Sequence, residues 1–415
     1  MRTIEPLKEP LRKEITVPGD KSISHRAIML SSISDKTVEI RNFLTGEDCL
    51  STIACLKAAG VKIEQTGSRV LVKGCGLNGL CEPEKILDAG NSGTTVRLLT
   101  GLMAGQGIKA TFTGDESLRR RPMDRIINPL REMGAKIIGE KVLPITLLPS
   151  KLRGIRYELP VASAQVKSAI LLAGLNAAGM TTIIEPVPCR DHTEKMLRGF
   201  GVSIEKIGNE ITLKPPRRLE APDAIEIPGD ISSAAYWLVL ATCLDGSDVL
   251  IKNVGVNETR TGIIDVIRQM GGRIELINER TSGGEPLADL KVISSKLHGV
   301  EIGGEMIPRL IDEVPIIAVA AAFAEGATTI NGLSELRHKE SDRLAAIVEE
   351  YVKIGIDCAA HGDTLTIRQN KMRRSQCKTR GDHRLAMSLA IAGMLAEGVT
   401  LDDTDCINIS YPNFI

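Results

Sequence analysis

Two short stretches decide how this chain is organised: Val17-Pro18-Gly19-Asp20-Lys21-Ser22 and Ile227-Pro228-Gly229-Asp230-Ile231-Ser232. Each follows a short extended segment and leads into a helix-like run. They begin 210 residues apart in a chain of 415, so the sequence reads as two similar halves. Repetition at a fixed period is the strongest early guide to architecture. Working outward, each half divides again. A polar turn followed by an Ala/Leu/Ile-rich helix begins near Lys21, Ser92, Ser163, Ser232, Asp312 and Asp382, at steps of 71, 71, 69, 80 and 70 residues. Between these starts a second helix recurs, ending in Gly and passing into a strand: LKAAGVKIE (56–64), LREMGAKII (130–138), LRGFGVSIE (197–205), IRQMGGRIE (267–275) and YVKIGIDCA (351–359). Gly at that place lets the chain leave the helix through the left-handed region. The chain stops before a sixth copy.

The two kinds of element differ in polarity. AILLAGLNAAGM (169–180), IIAVAAAFA (316–324) and LAMSLAIAGMLA (385–396) are apolar nearly all round, as buried helices are. VLVKG (70–74), RIELINE (273–279) and DTLTIRQ (363–369) alternate apolar and polar, as half-exposed strands do. The expected fold is therefore α/β with helices inside and sheets outside: two inside-out α/β lobes, each of three repeated units. Lobe one takes residues 1–19 and 230–415, and lobe two takes 20–229. The chain crosses near Gly19 and Asp20 and again near Gly229 and Asp230, where a hinge is expected. Residues 1–19 return to close the truncated third unit of lobe one. A cleft between lobes is a favoured ligand site.

Composition narrows the function. With 52 Lys and Arg against 52 Asp and Glu, the net charge is zero, which argues against a nucleic-acid binder. Ten aromatic residues in all leave little for stacking bases. Nine Cys, with no C-x-x-C, point away from disulfides and zinc and toward a reducing cytoplasm. The six His show no H-E-x-x-H spacing, so no metal is expected. No signal-like apolar region opens the chain, and no apolar run reaches the ~18 residues a membrane span needs.

Charged and Gly-rich turns stand where the buried helices start. Asp20-Lys21-Ser22-Ile23-Ser24-His25-Arg26 brings two cations to a helix N-terminus, which by its own dipole favours anions. Gly90-Asn91-Ser92-Gly93-Thr94-Thr95 would let an anion approach the backbone at Gly93, but it lacks the Lys of an ATP-binding P-loop. Arg119-Arg120-Arg121-Pro122 precedes a further helix, and Ser163-Ala164-Gln165 opens another. In the second half Asp312-Glu313, Lys339-Glu340-Ser341-Asp342-Arg343 and Asp382-His383-Arg384 occupy the corresponding places. Singly, each suits a cap or a solvated surface. So many polar and charged helix starts together are hard to explain by capping.

As a set, GDKSISHRA (19–27), GNSGTTVRLL (90–99), SLRRRPM (117–123), SAQVKSA (163–169), RDHTEK (190–195), IDEVP (311–315), KESDR (339–343) and DHRLAM (382–387) span nearly the whole chain. They resemble the 5-enolpyruvylshikimate-3-phosphate (EPSP) synthases, the 3-phosphoshikimate 1-carboxyvinyltransferases, in a divergent bacterial branch marked by SAQVKSA and RDHTEK. The resemblance implies a cytoplasmic transferase of the shikimate pathway, serving chorismate and aromatic amino-acid biosynthesis. It moves the enolpyruvyl group of phosphoenolpyruvate to the 5-hydroxyl of shikimate 3-phosphate by addition and elimination, as a monomer with no cofactor.

The resemblance also implies roles. Lys21, Arg121, Arg343 and Arg384 clamp phosphoenolpyruvate, with Gly93 and Gln165 beside it. Lys21, Ser22, Arg26, Ser163, Ala164, Gln165, Asp312 and Lys339 hold shikimate 3-phosphate, joined by Arg190 in the RDHTEK branch. Glu340 transfers the proton at carbon 3. Asp312 accepts the hydroxyl proton, with Lys21 as competitor. Two departures stand out. Ala164 replaces a Ser of some members, and Ile409 stands where some carry a Lys of the phosphoenolpyruvate clamp. The runner-up activity is UDP-N-acetylglucosamine 1-carboxyvinyltransferase, which usually has a Cys on the loop before an Arg-Pro pair; residues 113–121 contain none.

Overall fold

Gly60, Gly134, Gly201, Gly271 and Gly355 all take positive φ, from 77° to 102°. They end the five second helices, as the repeat requires, because a side chain there would be strained. In the computed structural model, which describes every residue except Asn413 and Ile415, each such turn leads into an outer sheet. Among the described residues the strands form five four-stranded sheets and one of three strands. The middle repeat of lobe two shows the plan. Leu87–Asp88 pairs parallel with Ala110–Thr113, which pairs antiparallel with Ile145–Leu148, itself antiparallel to Lys136–Ile138. The crossover between the two parallel strands is the buried Gly93–Gln106 helix.

Polarity sorts the layers as expected. In Lys21–Ser32 every residue from Ile23 onward is buried, and so are all nine residues of Val314–Ala322. The strand Arg69–Lys73 alternates, with Val70 and Val72 inward and the charged ends outward. Small residues let two core helices of lobe two touch: a Cβ on Gly101 would lie 2.2 Å from the Ala169 carbonyl oxygen. Any side chain at Gly101 must push the helices apart, and overpacking of this kind costs about 1–3 kcal/mol or more.

The chain divides into lobe one, Met1–Pro18, Gly229–Arg280 and Pro286–Ile415, and lobe two, Gly19–Pro228 with Thr281–Glu285. Each has its own apolar core. The N-terminal stretch departs from its expected place. Only Arg2–Ile4 completes the third unit of lobe one, antiparallel to Val399–Leu401. Arg12–Thr16 is instead the parallel edge strand of the first unit, beside Asp248–Gly255. Ala224–Glu226 does the same in lobe two, parallel to Thr37–Arg41. The reason is the repeat itself. The first strand of each repeat precedes the Pro-Gly-Asp turn, so it stays with the lobe that the chain is leaving.

Where a sixth second helix would stand, the short 3-10 turn Asp405–Ile409 is the last regular element among the described residues. Ile409 packs against the lobe-one core. Beyond it Tyr411 and Phe414 meet Tyr236 and Trp237, with Trp237 Nε1 donating to the Tyr411 hydroxyl at 2.8 Å. Four of the ten aromatic residues are thus spent on fastening the C-terminal segment.

Candidate active site

In lobe two, the Asp20 side chain caps the Lys21–Ser32 helix by accepting from the Ile23 amide at 2.9 Å. The cap holds Lys21 at the helix start, where its Nζ lies 3.1 Å from Asp48 Oδ2. Burial pushes the Asp48 carboxyl up, but the charge and hydrogen bond of Lys21 and the charge of Arg121 outweigh it and hold the group below the usual range. Asp48 opens the Glu47–Ala58 helix and is not among the residues the sequence singles out. Behind Lys21, burial pushes His25 down to about 3, so its ring is neutral. His25 Nδ1 is 2.7 Å from Thr52 Oγ1, which is 2.7 Å from Thr95 Oγ1, which bonds Ser92 Oγ at 2.7 Å. This buried hydroxyl chain ties three helix starts together.

Ser92 caps the next helix through the Thr95 amide. The first residue inside that helix is Gly93, which is buried. A Cβ built on it would lie 3.6 Å from Arg121 Nη1 and 4.0 Å from Arg97 Nη1, ordinary contact distances. Gly93 therefore borders both guanidiniums. Of the three consecutive arginines, Arg119 and Arg120 are exposed, and Arg120 pairs with Glu116. Only Arg121 turns inward, donating to Asn91 Oδ1 at 2.7 Å. Arg97 is the cation that the sequence reading overlooks, although it lies one helical turn after Gly93 in a quoted motif. Burial first, then the charges of Arg121 and Arg125, push it down to about 10. It donates to the side-chain oxygen of Gln165 and to the Pro122 carbonyl, and Gln165 Nε2 donates to Thr94 Oγ1 at 3.1 Å. Gln165 thus joins the Arg97 and Gly93 group.

Ser163 caps the Ala164–Gly174 helix. Ser22 and Ala164 stand in the first turns of their helices, Ser22 giving its carbonyl to Arg26 Nη1 at 2.9 Å and Ala164 giving its carbonyl to Ser168 Oγ at 2.6 Å. Arg26 is buried, and its Nε and Nη2 donate to Thr193 Oγ1 and Ser168 Oγ, each at 2.7 Å. Arg190 is half-buried, and its charge bears on Arg26. Beneath this group Lys167 Nζ, wholly buried, lies 2.7 Å from Glu185 and 2.6 Å from Glu194. Those carboxylates drive its pKa up against burial. A buried cation needs such partners. Lys167 is therefore a structural pillar of SAQVKSA and RDHTEK, tying the two motifs together.

In lobe one the carboxylate of Asp312 faces three cations: Lys339 Nζ at 3.1 Å, Arg343 Nη1 at 3.6 Å and Arg384 Nη2 at 4.0 Å. Arg343 is fully buried. It grips Asp382 with Nε at 2.9 Å and Nη2 at 3.2 Å, and it holds Glu340 Oε2 at 2.6 Å. Asp382 also caps the His383–Leu395 helix through the amides of Arg384 and Leu385. Glu313 accepts from Ser232 and, at 3.5 Å, from Arg384. Asp312, Glu340, Lys339, Arg343 and Arg384 therefore lie together in lobe one. Ile409 has no such role, since it faces the apolar core. Among the described residues no group of three or more His, Cys, Asp or Glu is placed to hold a metal, and no helix is long and apolar enough to cross a membrane.

Comparison with known proteins shows the family of the chain. The family model of EPSP synthase (3-phosphoshikimate 1-carboxyvinyltransferase) matches residues 7–415. A 3-phosphoshikimate 1-carboxyvinyltransferase of Thermoanaerobacter sp. (strain X514) is 53% identical over 411 residues, 98% of this chain and 97% of that protein. One from Brevibacillus brevis is 49% identical, covering 97% and 96%. The solved EPSP synthase from Acinetobacter baumannii superposes with a TM-score of 0.92 at 42% identity, over 99% of this chain and 96% of that one. The enolpyruvyl transferase NikO from Streptomyces tendae, at 18% identity and a TM-score of 0.78 over 99% and 94% of the two chains, shares the fold. On its full-length family match and its likeness to these relatives, the chain belongs to the EPSP synthase (3-phosphoshikimate 1-carboxyvinyltransferase) family.

Proposed function

We infer that this chain transfers the enolpyruvyl group of phosphoenolpyruvate to the 5-hydroxyl of shikimate 3-phosphate, releasing phosphate. The observation that carries the reading is the lobe-one cluster, in which Asp312 and Glu340 stand among Lys339, Arg343 and Arg384. The chemistry asks for that combination. Both substrates carry a phosphate and a carboxylate, so several fixed cations are needed. Two proton transfers, at the attacking hydroxyl and at carbon 3, need acid–base groups beside them.

In this reading Lys21, Arg121, Arg343 and Arg384 bind phosphoenolpyruvate, and Arg97 supports Gln165 beside it. Ser22, Arg26, Ser163, the Ala164 backbone, Gln165, Arg190 and Lys339 bind shikimate 3-phosphate. Asp312 takes the hydroxyl proton as the oxygen attacks carbon 2. Glu340 delivers a proton to carbon 3, and takes one back as phosphate leaves. Nine free thiols suit a reducing cytoplasm, where we place the enzyme as a monomer.

Phosphate release from phosphoenolpyruvate tests the activity directly. Release with shikimate 3-phosphate as acceptor, and none with UDP-N-acetylglucosamine, is the expected result; the reverse pattern would replace the reading by the sister enzyme's. Gly93→Ala tests the site. The new methyl group meets Arg121 and Arg97 at ordinary distances, so the fold and melting temperature stay unchanged. It takes the space between the guanidiniums, and KM for phosphoenolpyruvate rises about tenfold, at the low end of overpacking costs. An unchanged KM would remove Gly93 from the phosphoenolpyruvate site.

A further inference from the structure

A segment outside every quoted motif reaches the shikimate 3-phosphate residues of lobe two. Thr281–Glu285 is the tip of the hairpin formed by Arg273–Ser282 and Glu285–Ile293, yet it groups with lobe two while both flanks belong to lobe one. Its seat is tight. Gly283 and Gly284 turn the tip with φ of 56° and 90°. A Cβ on Gly284 would lie 2.2 Å from the Lys195 carbonyl oxygen, and one on Gly199 would lie 2.7 Å from the Gly283 carbonyl. The Glu226 amide donates to Ser282 Oγ at 2.9 Å.

The seat brings Glu285, fully buried, to His192, with Oε1 2.9 Å from Nδ1. His192 is the first residue of the eight-residue helix His192–Gly199, to which Asp191 gives no side-chain cap. So short a helix needs its first turn held from outside. The adjacent Thr193 accepts from Arg26 Nε at 2.7 Å and lies 2.7 Å from Ser168 Oγ, which accepts from Arg26 Nη2 and donates to the Ala164 carbonyl. An unbroken set of short contacts therefore runs from Glu285 through the start of this helix to Arg26 and to the start of the Ala164–Gly174 helix, with Arg190 two residues before His192.

From this geometry we propose that Glu285 is a positioning residue for shikimate 3-phosphate: through His192 it fixes the first helical turn against which the Arg26 guanidinium is held. The proposal rests on the assignment of Arg26 and Arg190 to shikimate 3-phosphate made above. It also makes these lobe-two residues depend on a segment whose neighbours in the chain belong to lobe one.

The test is direct binding of shikimate 3-phosphate by calorimetry to the native chain, Glu285→Ala, Glu285→Gln, His192→Ala and the double variant Glu285→Ala/His192→Ala, with steady-state kinetics alongside. Glu285→Ala is expected to raise Kd about tenfold, a typical loss for a misplaced contact group. KM for phosphoenolpyruvate stays within about twofold, because the residues assigned to it lie outside this set of contacts. His192→Ala has the same effect, and the double variant adds nothing further, since the two act as one unit. Glu285→Gln keeps an acceptor for His192 and restores most of the affinity.

The sign separates position from charge. A carboxylate repels an anion, so if only its field mattered, both Glu285 variants would bind shikimate 3-phosphate more tightly. Tighter or unchanged binding by Glu285→Ala, or additive losses in the double variant, overturns the proposal. Should Glu285→Ala not fold, Glu285→Gln and His192→Ala carry the comparison: weaker binding by His192→Ala with near-native binding by Glu285→Gln supports it, and native binding by His192→Ala overturns it. A native chain that does not bind shikimate 3-phosphate refutes the underlying site assignment instead, and is seen before any variant is made.

Discussion

Replacing Glu340 by Gln is expected to lower kcat by about 10²–10⁴-fold while KM for each substrate changes by less than about threefold. The group differs from its neighbours in one respect that the chemistry needs. Arg343 and Asp382 are sealed in the lobe-one core, whereas the Glu340 side chain is 39% exposed and lies 2.6 Å from Arg343 Nη2. A partly exposed carboxylate can change partner during a reaction. In the proposed reaction the anionic groups of phosphoenolpyruvate share Arg343, its hold on Glu340 weakens, and the carboxyl becomes able to carry a proton to carbon 3. As phosphate leaves, Arg343 returns and favours the carboxylate that takes the proton back. Gln keeps the size of the side chain and can still bond Arg343, but it cannot carry the proton. The direct measurement is exchange of the carbon 3 hydrogens with deuterated solvent, which native protein catalyses and Glu340→Gln does not. A variant that exchanges at the native rate would move the role to Asp312 or Lys21.

The parts legible in the sequence are those that each residue's own chemistry fixes. Five glycines end five helices because the left-handed turn admits little else, and all five do so. Runs such as 316–324 can only be interior, and the Val314–Ala322 helix is. Chemistry-bearing residues at helix starts are legible for the same reason, since a capped N-terminus presents its first turn.

What stays hidden depends on contacts distant in sequence. Nothing local says that Ala224–Glu226 completes a sheet with Thr37–Arg41, or that Glu285 meets His192, 93 residues away. Asp48 was hidden for another reason: an acid in the first turn of a helix is what dipole partnering alone would supply, and its pairing with Lys21 is visible only once the two helix starts are adjacent. Arg26 sits between the two cases. Its motif marks it as important, but only the fold shows that part of its guanidinium serves the protein, bridging Thr193 and Ser168.

Arg343→Lys is expected to damage stability and catalysis together. The Arg343 side chain has no exposure, and its Nη1 is buried without a hydrogen-bond partner while lying 3.6 Å from Asp312. Burial disfavours its charge, but Glu340 and Asp382 outweigh that and hold its pKa above the ordinary value. The planar fork meets both oxygens of Asp382, and Asp382 in turn caps the helix that carries Arg384 and accepts from Ser341 Oγ at 3.1 Å. Lysine offers a single nitrogen, which cannot reproduce the fork. It leaves Asp382 short of a partner in the core, and breaking a buried pair costs about 3–5 kcal/mol. Because Lys keeps the charge, the lower end applies, a melting-temperature drop of roughly 6–12 °C for a body of this size. Catalysis falls further than stability alone requires: kcat/KM for phosphoenolpyruvate drops by about 10³-fold, since the cation that faces Asp312 and Glu340 is displaced from both. Urea unfolding and substrate kinetics on the same preparation separate the two effects. If stability falls while KM and kcat stay native, Arg343 is a core ion pair and no part of the phosphoenolpyruvate clamp, and Arg384 with Lys21 and Arg121 must then carry the anion alone.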